Sequence, residues 1–196
     1  MRPHGGAVEW KPMTGCNGAG INSFALVSYF SGPLSEYLTR LRRELVPDCE
    51  ARAHLTVLPP RPVQGPVDEV VRGLAYGLQE FGPVYVELGG VEMFAESRVV
   101  YVSVAMGRVE LERMHDVLNS GAVTFEEPFR YHPHITLAQD VSSDSITSVL
   151  DRAQHHWNSW PHPRSFVVEN LTVVQNTVDN RWFDVEELHL PARVSS

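Results

Sequence analysis

The sequence predicts an α+β fold built as two pseudo-symmetric lobes, each an antiparallel sheet with outer helices, packed about a central groove. Three observations predict it. Two short segments nearly repeat: His54-Leu55-Thr56-Val57-Leu58 and His134-Ile135-Thr136-Leu137-Ala138. Strand-like and helix-like patterns succeed one another in the same order around each copy. The spacings also agree, with 30 residues from Phe24 to His54 against 35 from Val99 to His134, and 30 from His54 to Val84 against 32 from His134 to Phe166.

Residues 1–22 are rich in Gly and Pro with little periodicity, and read as an N-terminal tail or arm. Residues 23–196 read as one bilobal domain, with lobes at approximately 23–92 and 93–190. Ser23–Phe30 is an apolar run suited to a buried strand, ended by Gly32-Pro33. Leu34, Leu38, Leu41 and Leu45 then recur at helical spacing until Pro47 closes the helix. The first His-x-Thr strand comes next, then a helix over Val67–Phe81 and a strand over Val84–Leu88. The second half runs as a strand over Val99–Ala105, a helix over Val109–Leu118, and the second His-x-Thr strand within Pro128–Gln139. A helix over Ser142–Trp157, with Ser142 or Ser143 as its cap, precedes strands over Phe166–Val174 and Trp182–Leu190.

The totals bound the function. A chain of 196 residues, 43% hydrophobic and 20% charged, suits an ordinary globular protein with one continuous core. The formal charge of -8 argues against a sequence-independent grip on long duplex nucleic acid, which needs many Lys and Arg on phosphates. A local cationic cluster can still oppose the net sign and take a small nucleotide or an RNA end. Cys16 and Cys49 form no CxxC pair, so a reduced, cytoplasmic setting is expected. No apolar run approaches membrane-spanning length, and Arg2 is followed by no apolar leader, so neither membrane association nor a signal peptide is expected.

In a strand, alternate side chains share a face, so His54 and Thr56 project together while Leu55 and Val57 face the core. The same alternation groups His134 with Thr136, and Ile135 with Leu137. With 9 His and 8 Thr in the chain, chance supplies roughly 0.4 bare His-x-Thr matches, so one copy would mean little. Two copies with aliphatics at both intervening positions mean more. The segments just downstream differ, Pro59-Pro60-Arg61-Pro62 against Gln139-Asp140, so this is not a simple local duplication.

The segments HLTVL at 54–58 and HPHITLA at 132–138, with the strand-helix order around them, resemble the 2H phosphoesterase superfamily. The similarity is to the branch labelled 2'-5' RNA ligase or RNA 2',3'-cyclic phosphodiesterase. It covers residues 23–190, and the phrases ARAHLTVLPPRP and EEPFRYHPHITLAQ resemble a bacterial subgroup of that branch. The resemblance implies that His54 and His134 are the acid and base of a metal-independent reaction that needs no cofactor.

The chemistry fits those residue types. Opening a cyclic phosphodiester needs a base to activate water and an acid for the leaving oxygen, and imidazole serves both near neutral pH. Thr56 and Thr136 can donate to the non-bridging phosphate oxygens. The expected substrate is an RNA end or small nucleotide carrying a 2',3'-cyclic phosphate. Alternatives on the same fold are a 2'-5' RNA ligase or nuclease, a cyclic phosphodiesterase acting on a non-RNA compound, and a catalytically silent nucleotide- or RNA-binding module.

Flanking residues are candidates of a second kind. His132 shares the strand face of His134 and suggests a place at the rim. A zinc site from His54, His132 and His134 is set aside, because Pro133 interrupts pairing and no carboxylate or Cys stands at ligand spacing. Arg52, Arg61 and Arg130 flank the motifs with forks suited to phosphate, against the plainer reading of solvated surface residues. Tyr131 and Phe129 are candidates to stack on a base, with core packing as the alternative for Phe129.

Overall fold

The computed structural model describes residues 20–47 and 49–192. Residues 1–19 of the expected tail lie outside the described residues, and 20–22 instead begin the first strand. The elements are β1 (Gly20–Tyr29), α1 (Pro33–Leu45), β2 (His54–Arg61), α2 (Val67–Gly77), β3 (Val84–Met93) and β4 (Val100–Met106). They continue as α3 (Arg108–Leu118), β5 (His134–Ala138), α4 (Ile146–Asn158), β6 (Ser165–Val168), β7 (Asn170–Thr177) and β8 (Trp182–His189). Short 3-10 turns at Leu78–Glu80 and Gly121–Val123 extend the ends of two connections.

Local chemistry explains most boundaries. Pro33 opens α1 at its first turn, where a missing N–H costs nothing. Gly107 precedes α3 at φ 87°, and a Cβ there would meet the Tyr85 carbonyl oxygen at 2.4 Å, so only glycine fits. The expected serine cap of α4 is corrected. The helix starts at Ile146 and no side chain caps it; Ser142–Ser145 form a turn whose carbonyl at Ser142 accepts from the Ile146 N–H.

The strands form two four-stranded antiparallel sheets, in the orders β2-β1-β7-β8 and β5-β4-β3-β6. The α+β class with two sheets and four helices is therefore as expected. The division into contiguous lobes at 92/93 is not. β3 belongs with the second motif strand's sheet, while β7 and β8 belong with the first. The single strand expected over Phe166–Val174 is two: Glu169 separates β6 from β7, and the chain passes there from one sheet to the other.

Helices cross over as well. α1, which links β1 to β2, lies against β5 and α4, and α3, which links β4 to β5, reaches β2. One buried cluster consequently joins Leu26, Leu55 and Leu171 of the first sheet to Val86, Val102 and Ile135 of the second. Burial of this shared apolar surface binds the sheets into one body.

Candidate active site

β2 and β5 are edge strands of their sheets, and they lie beside each other. Pro59 and Pro60 are tolerated in β2 because an edge strand has one side without ladder hydrogen bonds. Alternation is regular in both motifs. Leu55, Val57, Ile135 and Leu137 are fully buried, while His54, Thr56, His134 and Thr136 are half-buried on the opposite face.

Both histidines are held by the same local device. His54 Nδ1 stands 2.8 Å from the Arg52 carbonyl oxygen, and His134 Nδ1 stands 2.6 Å from the His132 carbonyl oxygen. A carbonyl only accepts, so Nδ1 carries the proton in each ring and Nε2 keeps its lone pair. Among the described residues, neither Nε2 has a hydrogen-bond partner. Burial, followed by the Arg42 guanidinium, pulls His54 down to about 4, with His134 and Arg52 adding to the effect. Burial also lowers His134, assisted by His132 and Arg42 and opposed by the backbone hydrogen bond. Both imidazoles are therefore mostly neutral at pH 7.

Each histidine has an aromatic neighbour tethered by a carboxylate. Tyr29 faces His54 across the β1–β2 ladder, with ring centroids 6.1 Å apart. Its hydroxyl donates to Asp184 at 3.2 Å. Arg52 lies 3.9 Å over the Tyr29 ring and pairs with Asp184 at 3.2 Å. On the other side, Phe94 stacks on Tyr101 at 4.1 Å, and both rings stand edge-on to His134 at 5.1 and 5.2 Å. The Tyr101 hydroxyl donates to Glu92 at 3.1 Å, and burial with that carboxylate pushes the phenol up to about 12. His132 sits 5.5 Å from Phe94 and 6.5 Å from His134.

The other flanking candidates are placed differently. Arg61 is buried and turned away from solvent, paired with Glu127 and bonded to Asn119 Oδ1 at 2.7 Å. It is committed to the interior and does not serve as a phosphate fork. Tyr131 is not a base platform, because its ring is stacked on His115 at 4.1 Å and its hydroxyl donates to the Thr56 carbonyl at 2.8 Å. Arg130 and Phe129 lie in the loop before β5, both exposed, and line a side cavity of about 270 Å³ with Glu112 and Asp116. Arg52 remains beside His54, with its charge already shared with Asp184.

Sequence reasoning missed Arg42, Tyr29, Phe94 and Tyr101. Arg42 had a legible signal, since it stands four residues after Leu38 in the apolar stripe of α1. Tyr29 and Tyr101 had none, because strand partners are not written locally. Among the described residues, no three His, Cys, Asp or Glu side chains gather as metal ligands. No helix among them is long and apolar enough to cross a membrane.

Comparison with known proteins shows the family and the fold. Residues 30–180 match the family model of the 2'-5' RNA ligase superfamily. A Bacillus licheniformis protein, provisionally named a phosphoesterase, is 31% identical over 98 residues, which is 50% of this chain and 58% of that protein. The crystal structure of a phosphoesterase superposes with TM-score 0.60 at 18% identity, covering 86% of this chain and 98% of that one. E. coli LigT complexed with 3'-AMP superposes with TM-score 0.58 at 18% identity, covering 86% and 98%. E. coli LigT complexed with phosphate gives TM-score 0.58 at 17% identity, covering 88% and 99%.

Proposed function

The chain belongs to the 2'-5' RNA ligase superfamily, and from that premise we propose that it is a phosphoesterase that hydrolyses a 2',3'-cyclic phosphate on an RNA end or a nucleotide. His54 and His134 are its acid–base pair, and Thr56 and Thr136 hold the phosphate. The observation that carries this reading is the matched state of the two rings. Each has Nδ1 committed to a carbonyl two residues upstream, and among the described residues neither Nε2 has a hydrogen-bond partner.

The reaction derives from that state. Water attacks phosphorus and gives its proton to Nε2 of one neutral imidazole. The phosphorus–oxygen bond to one ribose oxygen breaks, and that oxygen takes a proton from Nε2–H of the other ring, which must enter as imidazolium. The product is a phosphomonoester beside a free hydroxyl. Both rings are lowered by their surroundings, so the substrate's negative phosphate is what favours protonating one of them. The threonine hydroxyls donate to the non-bridging oxygens as charge develops. The scheme uses only proton transfer and hydrogen bonds, so it calls for no metal. The LigT complex with 3'-AMP supports a nucleotide as the carrier of the phosphate.

The test is turnover of 2',3'-cyclic mononucleotides and of RNA ending in a cyclic phosphate by chelator-treated protein. His54→Ala and His134→Ala should each lower the rate by about 10²–10⁴-fold, the usual worth of a positioned acid or base, with the fold retained. Full activity in either variant would sink the assignment.

A further inference from the structure

Resting on that reading of the site, we propose that Arg42 is the standing cation of the phosphate site, a buried guanidinium behind both motif histidines whose countercharge is the bound phosphate. It is a positioning residue that acts through the motif strands and through space.

The geometry is unusual for an arginine. Arg42 is 5% exposed and shares the inward face of α1 with Leu34, Leu38, Leu41 and Leu45. One terminal nitrogen donates to the Thr136 carbonyl of β5, and the other reaches the Cys49 sulfur at 3.6 Å. Nε is buried with no hydrogen-bond partner. Among the described residues no carboxylate pairs with it. Arg61, the other buried arginine, pairs with Glu127 instead. A buried charge without an opposite charge is expensive, and a fold keeps one where a charged ligand completes it.

The position tells which ligand. The Arg42 guanidinium is bonded to the second motif at the Thr136 carbonyl, and its charge acts on both His54 and His134. The remaining charged groups around these rings do not replace it. Arg52 acts on His54 but is exposed and shared with Asp184. His132 acts on His134 and is itself lowered, mainly by burial. From α4, Arg152 donates to the Glu44 carbonyl in the last turn of α1, but it is exposed to solvent. Burial is the main cause of the low midpoints of both rings; the Arg42 charge adds to it and favours an anion beside them. When a phosphate anion enters, its charge offsets that of Arg42 at the rings, and one ring becomes free to protonate.

The experiment is NMR titration of the histidine side chains in the full chain, with and without inorganic phosphate, for the wild type, Arg42→Met and Arg42→Lys. In Arg42→Met, the His54 midpoint should rise from about 4 toward the ordinary 6.5. Phosphate affinity should fall at least about tenfold, as expected for loss of a nearby opposite charge in a partly buried site. Arg42→Lys keeps the charge and loses the fork, so it should retain most of both properties. A folded Arg42→Met with unchanged midpoints and unchanged phosphate affinity overturns the proposal. So does Arg42→Lys that has lost both, and this variant decides alone if the methionine variant fails to fold. Loss of turnover in His54→Ala and His134→Ala with no effect at Arg42 overturns this inference only. Failure of the wild type to bind phosphate beside His54 and His134 overturns the site reading as well.

Discussion

The Tyr131 hydroxyl donates a 2.8 Å hydrogen bond to the Thr56 carbonyl, from the loop ahead of one motif strand to the backbone of the other. It has a counterpart in the bond from Arg42 to the Thr136 carbonyl. Both carbonyls belong to edge strands, where no further strand satisfies them. Each is met instead by a side chain from an element that leads into the other motif. The two edges are thereby tied to each other, which fixes the spacing of the two histidines.

Tyr131→Phe tests that tie. The ring keeps its stack on His115, and only the hydroxyl is lost. Stability should fall by about 1 kcal/mol, the net worth of a typical hydrogen bond. Turnover should fall up to about tenfold as the Thr56 backbone loosens. Denaturant unfolding and steady-state kinetics check both numbers, and an unaffected rate would separate this bond from catalysis.

Thr56→Val tests the phosphate contact. The strand tolerates valine, and the Tyr131 bond uses the backbone carbonyl that valine retains. Turnover should fall by about 10²-fold, in line with removal of one donor to a developing oxyanion. Stability should change little. Wild-type kinetics in this variant would leave Thr56 as a strand residue only.

Glu127→Gln tests the buried pair with Arg61. The side chains are 1% and 12% exposed, so the change strands a buried guanidinium. The expected loss is about 3–5 kcal/mol of folding stability. Asp184→Asn breaks the exposed pair with Arg52, with side chains 58% and 51% exposed, and should cost no more than about 1 kcal/mol. Urea titrations of the two variants side by side read the contrast directly.

Acidification should destabilise the protein through His54 and, with the same sign, His134 and His132. The His54 midpoint is about 4 folded, against an ordinary 6.5 when unfolded. The unfolded chain therefore binds more protons between these values, and stability falls as pH drops from 6.5 to 4. Below 4 this contribution levels off, and above 6.5 it is constant. His54→Asn should flatten the slope across that window, measured by unfolding at a series of pH values. An unchanged slope would mean that His54 titrates normally in the folded state.

The candidate site was legible to different depths at different residues. Strand alternation alone separated His54 and Thr56 from Leu55 and Val57, because in a strand the side of the sheet depends only on parity. Arg61 flanks the first motif with a fork suited to phosphate, and Tyr131 precedes the second with a ring suited to stacking, and neither position reveals the interior partners that hold it. Glu127 and His115, distant in sequence, draw them inward. Arg42 was overlooked because a leucine stripe draws attention to its apolar members.

The class of fold, the order of its elements and the two histidine strands are all legible in the chain. These rest on local periodicity and on two short phrases. Only the tertiary structure decided which sheet each strand joins, that Glu169 marks a passage between sheets, and that each motif lies on an edge beside the other. The physical reason is that strand pairing and burial of charge are set by partners distant in the chain. A local pattern says which face of a strand is apolar, and says nothing of what lies along its edge.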